Sequence, residues 1–428
     1  MSGSTVTITK AGTYVLSGSS ENVQVVVKVG DQDKVQLVLN GVTMTGTDAA
    51  IVVENADKTF ITLAKGSKNT ISDSANHKNT DYDAAIYSKD DLTFNGSGSL
   101  TVEGKYGNAI ESNDDLRITG GTYTIKGYKN ALSANDAINI KDATMNLTAT
   151  EDAIHADNDE DTSLGNFYIQ SGKITINAGD DGIHASNTAL IDGGTIKVEK
   201  SEEALEGKTV TINGGDLDLT ANDDGINAAD GSSSESAPGQ ATAGVSLTIT
   251  GGKVKVSAQG DGLDSNGDLT ISGGEVYVDG PTNGGNGALD YDGNGTITGG
   301  TVVMVGSNGM AMGFGSNSKQ ASILANVWTV VMVGSNGMAM GFGSNSKQAS
   351  ILANVSGSAG DKVTIIDSSG KEILSYTAAK NFQSVLASSA AIKDGESYTI
   401  TVNGQSTTAT ASLTTQNGNG MGGGPGGR

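Results

Sequence analysis

One aliphatic residue set against a small polar turn returns about every 22 residues along most of this chain, at Ile86, Ile110, Leu132, Ile154, Ile183, Leu205, Ile226, Leu263, Leu289 and Met310. Between these anchors each unit carries two more short alternating strands joined by a glycine corner. Residues 116–125, for example, overlay residues 269–278 through Gly120-Gly121 and Gly273-Gly274. A unit this small cannot bury its own apolar face, but it can bury that face against copies of itself. The pattern therefore predicts an all-β fold, a right-handed parallel β-helix (a solenoid) with three strands and about 22 residues per rung.

A chain of 428 residues would otherwise suggest two or three domains. In a solenoid, length only counts rungs. With 62 glycines and 4% aromatic residues, the core must be thin and made of aliphatic ladders. The rhythm divides the chain into an N-terminal β entry with the first rungs (1–75), the parallel β-helix (76–355), a β-rich C-terminal cap of longer alternating strands (356–413) and a glycine-rich tail expected to be disordered (414–428). A solenoid needs such a cap over its last open edge. Two wide anchor spacings carry insertions, at residues 157–163 and 231–239, each just after an acidic turn. Residues 301–327 recur without a change at 329–355, with Trp328 between, which predicts an extra rung spliced into the stack. The start, Met1-Ser2-Gly3-Ser4, runs straight into a strand pattern and reads as a start from which any export signal is already absent.

A net charge of −22 argues against nucleic acid and anionic membrane surfaces as partners. No apolar run of about 18 residues is present to span a bilayer. Without cysteine there is neither a disulfide framework nor a thiolate site. The natural counter-ion of such a chain is a cation.

The acid is concentrated in the turns before the anchors: Asp180-Asp181-Gly182-Ile183, Asp223-Asp224-Gly225-Ile226 and Asp261-Gly262-Leu263-Asp264. Stacking the rungs aligns Asn108, Asn130, Asp152, Asp181, Glu203, Asp224 and Asp261 two places before the anchors. The places just after them align Glu111, Ser133, His155, His184, Glu206, Asn227, Asp264 and Asp290. Two carboxylates about 5 Å apart repel by roughly 1 kcal/mol in water and roughly 3–4 kcal/mol at an effective dielectric near 20. A hard cation relieves this, and Ca²⁺ suits irregular oxygen donors; the candidate metal ligands are Asp152, Asp180, Asp181, Asp223, Asp224, Asp261, Asp264 and Asp290. The competing reading is that these are corner turns, in which Asp, Asn and Gly serve the backbone. His155 and His184 read as turn caps, and His77 as part of a polar loop.

Asp180-Asp181 also resembles the Gly-Asp-Asp of polygalacturonases, but the accompanying Gly-His-Gly and Arg-Ile-Lys motifs are missing and the doublet recurs at Asp223-Asp224. A lyase would need a basic side chain; the arginines are Arg117 and Arg428 alone, and of the lysines Lys173, Lys197, Lys208 and Lys253, in or beside strands, none is singled out by its surroundings. No catalytic residue is assigned.

Three segments together carry a family resemblance: residues 11–18 (Ala-Gly-Thr-Tyr-Val-Leu-Ser-Gly) with Val38-Leu39-Asn40-Gly41-Val42, the recurring Asp-Gly-Ile turns, and Asp367-Ser368-Ser369-Gly370-Lys371. On these the chain resembles the bacterial carbohydrate-binding, calcium-containing right-handed β-helix family related in fold to pectate lyases. That family is typified by a clostridial surface protein that binds cellulose and polygalacturonate. The likeness covers about residues 5–410, broken by the duplicated block. It implies an extracellular or cell-surface protein that binds acidic polysaccharide, and cellulose, with calcium on the acidic turns around Asp152, Asp181, Asp224, Asp261 and Asp264. The alternatives are a calcium-dependent pectate lyase-like enzyme and a structural, self-associating solenoid.

Overall fold

A computed structural model describes residues 4–231, 240–307, 309–320, 322–326, 356–382, 384–388 and 391–411. The second copy of the duplicated block, Trp328, the 414–428 tail, Met1 to Gly3 and nearly all of the loop at 231–239 lie outside the described residues. Every regular element among the described residues is a β-strand. The fold is a parallel β-helix. The chain divides into two compact units, the first reaching Asn222 and taking in Asn227 onward to the 231–239 loop, the second comprising Asp223–Ile226 and the residues after that loop.

In the first unit three ladders repeat. One stacks Val23–Lys28, Ile51–Asn55, Ala84–Ser88, Asn108–Ser112, Leu132–Ala134, Ile154–Ala156 and the start of Ile183–Ile191. Its parallel register pairs Val25, Ile51, Ile86, Ile110, Leu132, Ile154 and Ile183 in succession. All seven are buried. A second ladder runs through Lys58–Leu63, Leu92–Gly96, Asp115–Thr119, Ala137–Lys141 and Asn166–Ile169. The third runs through Lys68–Ser72, Ser99–Gly104, Thr122–Gly127, Ala143–Thr148, Gly172–Asn177, Thr195–Lys200 and Asp216–Thr220.

The sequence alternation explains which side faces in. Along Thr122–Gly127, Tyr123, Ile125 and Gly127 are buried while Thr122, Thr124 and Lys126 are exposed, as a period of two requires. Each inward aliphatic side chain contributes about 1.5–3 kcal/mol by burial, repeated rung after rung. The glycine pairs between the second and third ladders have a backbone cause: Gly194 and Gly215 hold φ of 94° and 97°, a region that side chains with a Cβ rarely enter.

In the second unit Ser246–Ile249, Asp268–Ile271 and Gly295–Ile297 form one parallel ladder and Lys253–Ser257, Glu275–Asp279 and Thr301–Gly306 another. Leu263 and Leu289 bridge in parallel at the anchor position. Met310 does not continue this column; it is 46% exposed, so the spacing of about 22 residues that suggested it is coincidental there. The last parallel strand, Thr301–Gly306, meets Ser384–Ser388 running antiparallel, which pairs its outer edge. Residues after 356 add a four-stranded antiparallel sheet of Glu372–Thr377, Lys362–Ile366, Ser397–Val402 and Gln405–Thr410. Its inner face packs Val363, Ile365, Tyr376, Tyr398 and Ile400 with Val303 and Val305 of the helix.

His77 lies in the loop between Lys68–Ser72 and Ala84–Ser88. Its side chain is fully buried, hydrogen-bonded to Asp73 at 2.9 Å and stacked on Tyr106 with centroids 4.3 Å apart. The surrounding residues are polar, yet the ring folds back under them.

Candidate functional site

The turns before the anchors interrupt the strand ladders, and a buried N–H left there needs an acceptor. The side chain two places before the anchor supplies it at Ile110, Leu132, Ile154, Ile226 and Leu263. Asn108 Oδ1 accepts from the Asn130 amide at 3.0 Å, Asn130 Oδ1 from the Asp152 amide at 2.9 Å, and Asp152 Oδ1 from the Asp181 amide at 2.9 Å. In the second unit Asp224 Oδ1 accepts from the Asp261 amide and Asp261 Oδ1 from the Gly287 amide. Asp and Asn have the one-carbon stem that reaches a neighbour about 4.8 Å away. At Asp152, Asp224 and Asp261 one carboxylate oxygen therefore serves the backbone, so the corner-turn reading accounts for one oxygen of each of these carboxylates.

In the first unit those remaining oxygens face histidine. His155 Nδ1 lies 2.7 Å from Asp152 Oδ2. His184 Nδ1 lies 3.3 Å from Asp181 Oδ2 and 2.6 Å from Glu206 Oε2. Parallel pairing puts His155 beside His184 and His184 beside Glu206. His155 bonds Asp152 within its own turn, whereas His184 also spans to the next rung. Two sets of three donors converge here, Asp152 with Asp180 and Asp181, and Asp181 with His184 and Glu206, each with its ligand atoms within 4.8 Å of one another.

Burial raises the Asp181 carboxyl to about 7, aided by Glu206 and Asp152 and opposed by His184. For His184 burial works against the charged ring, but the hydrogen bonds to Asp181 and Glu206 outweigh it and lift the imidazole to about 11. Burial opposes ionisation of Glu206 as well, yet His184 holds it below the ordinary range. The exposed Asp180 is raised by partial burial and by Asp152, Glu202 and Glu206. The site therefore concentrates carboxylates faster than it supplies positive charge.

The second unit gathers the other five predicted residues. Burial raises Asp261 to about 7 and Asp264 to about 8; Asp224 and Asp290 push both upward, and Asp223 adds to the effect on Asp261. Asp290 is raised by burial while the Tyr291 amide, 2.8 Å from its Oδ1, lowers it. Gly260 lies so close that a Cβ there would stand 2.3 Å from Oδ1 of both Asp223 and Asp224.

The eight predicted residues thus fall into two acidic groups, and the sequence reading left His184 and Glu206 out of the first. Both occupy the visible place after an anchor. The reach of His184 across to Glu206 depends on a side-chain direction that spacing alone does not carry.

Residues 2–287 match the model of a family described as carbohydrate-binding domain-containing protein. A protein of that description from Acetivibrio thermocellus is 43% identical over 215 residues, 49% of this chain and 73% of the relative. A solved structure described as the polysaccharide lyase-like protein from C. thermocellum, gadolinium derivative, is 32% identical and aligns over 53% of this chain and 88% of its own, at a TM-score of 0.45.

Proposed function

Because this chain belongs to the family of carbohydrate-binding domain-containing proteins, we propose that it binds an acidic polysaccharide of the polygalacturonate type through calcium held on its acidic turns. The observation that carries this reading is the convergence of Asp152, Asp180 and Asp181. Three carboxylates within one small volume would repel a uronate. Ca²⁺ accepts six to eight oxygens, so three protein carboxylates leave positions for a sugar carboxylate and hydroxyls.

This chain's own residues do the positioning. Asp152 is anchored through Oδ1 to the Asp181 amide and through Oδ2 to His155 Nδ1, so its carboxylate is oriented before any ligand arrives. Asp180 is exposed and can turn between ion and polymer. In the second unit Asp223, Asp224, Asp261, Asp264 and Asp290 form an all-carboxylate group of the same hard character. The same reading assigns the protein to the extracellular space or cell surface, with cellulose as a further polymer to test.

Isothermal titration with polygalacturonate tests it. Heat of binding is expected in millimolar calcium and is expected to vanish with chelator. Binding of equal strength in both conditions, or none in either, would sink the calcium-bridged reading.

A further inference from the structure

We propose that Asp181, His184 and Glu206 form a site for a borderline divalent transition metal of the zinc class. It shares Asp181 with the calcium set proposed above but does not depend on that reading. The donor types differ between the two sets. Asp152, Asp180 and Asp181 offer oxygen only, while the second set adds an imidazole nitrogen, the ligand that suits zinc and its neighbours rather than calcium.

The spacing fits. Zinc takes imidazole nitrogen and carboxylate oxygen at about 2.0–2.2 Å, so tetrahedral ligand atoms stand roughly 3.3–3.5 Å apart. His184 Nδ1 is 3.3 Å from Asp181 Oδ2 and 2.6 Å from Glu206 Oε2. An ion could bind all three once the His184–Glu206 edge opens by about 0.7–0.9 Å. Two carboxylates, a neutral imidazole and a dication would then sum to zero charge.

The ligands are held from behind. His184 and Glu206 are paired across parallel strands, the Asp181 amide is bonded to Asp152, and the His184 ring lies against His155 with centroids 5.2 Å apart. The side chains of Asp181, His184 and Glu206 keep 10%, 22% and 15% of their surface exposed, which leaves an entry path.

A second observation points the same way. The Ala229 amide bonds the Gly207 carbonyl, which places Asn227 beside Glu206 in the same column. Asn227 is 9% exposed, and its Nδ2 donates to Glu203 Oε1 at 3.1 Å. Its Oδ1 is buried and has no hydrogen-bond partner. A buried carbonyl oxygen left without a donor beside carboxylates lacks what a cation would supply.

The test is titration of the chelated full chain with Zn²⁺ at saturating calcium, on the native chain and on His184→Asn and Glu206→Gln. Zinc binding is expected in the native chain and is expected to weaken by about tenfold or more in each variant. With Co²⁺ in place of zinc, a paramagnetically shifted imidazole proton resonance is expected in the native chain and in Glu206→Gln but not in His184→Asn. Absence of zinc binding in the native chain overturns the proposal, as does native-like affinity in both variants. Failure of polygalacturonate binding in the native chain would count against the calcium reading alone, because the zinc titration contains no polymer.

Discussion

Asp152 and His155 are locked together at 2.7 Å, while the other oxygen of the same carboxylate accepts the Asp181 amide from the next rung at 2.9 Å. One carboxylate thus satisfies a side chain within its own turn and the backbone of its neighbour. Asp152 is 8% exposed, so water cannot replace either bond cheaply. Asp152→Ala is expected to cost about 2–4 kcal/mol in denaturant unfolding, with Asp152→Asn losing less because its Oδ1 can still accept the amide. Equal, small losses in both variants would contradict this dual role.

Glu111 is a half-buried acid next to Asp83, and desolvation first, then Asp83, raises it to about 7. Its folded value lies above the ordinary 4.5. The folded state therefore holds the proton more tightly, and stability falls as pH rises from about 4.5 to about 7 and is level beyond. Glu111→Gln keeps an acceptor for Asn108 Nδ2, now at 2.8 Å, and removes the penalty. The variant is expected to be more stable than the native chain by about 1–3 kcal/mol at pH 8 and to lose the advantage near pH 4. A constant difference in melting across that range would refute the assignment.

Gly262 explains why the turn motif contains glycine. Its backbone is not in the left-handed region, but a Cβ would lie 2.3 Å from Val278 Cγ1 and 2.6 Å from the Ala288 carbonyl oxygen. Gly262→Ala is expected to destabilise the second unit by about 2–4 kcal/mol, measured by denaturant unfolding. A silent substitution would show that the rung spacing is softer than the packing implies.

Asp279 fastens the antiparallel sheet to the β-helix. It is fully buried and accepts from the Tyr376 hydroxyl and, at 3.1 Å, from the Ala379 amide. Tyr376 also stacks on Tyr277, centroids 5.4 Å apart. Tyr376→Phe keeps the stack and leaves Asp279 one donor short, at a cost of about 1–3 kcal/mol. Faster amide exchange across Lys362–Ile366 and Glu372–Thr377 than in the first unit is the expected signature.

Calcium added to chelated protein at pH 7 is expected to raise the melting temperature. A site filled at a hundredfold excess over its Kd adds about 2.7 kcal/mol. Asp180→Asn, which alters an exposed ligand without touching the backbone caps, is expected to reduce that gain. An unchanged melting temperature in the native chain would leave the acidic turns with their backbone role alone.

The sequence by itself determined the stack. A parallel ladder requires every rung to offer an aliphatic residue at one place, so Ile110, Leu132, Ile154 and Ile183 declare both period and register. It also marked the acidic columns, because in a solenoid equal offsets from the anchors become neighbours. Tertiary structure alone decided how each oxygen is used. Whether Asp152 faces an amide or an ion, whether His184 spans to Glu206, why Met310 leaves the column and how Asp279 meets Tyr376 all depend on side-chain directions and on contacts between distant segments. Those are set by rotamer and packing, and periodicity is blind to both.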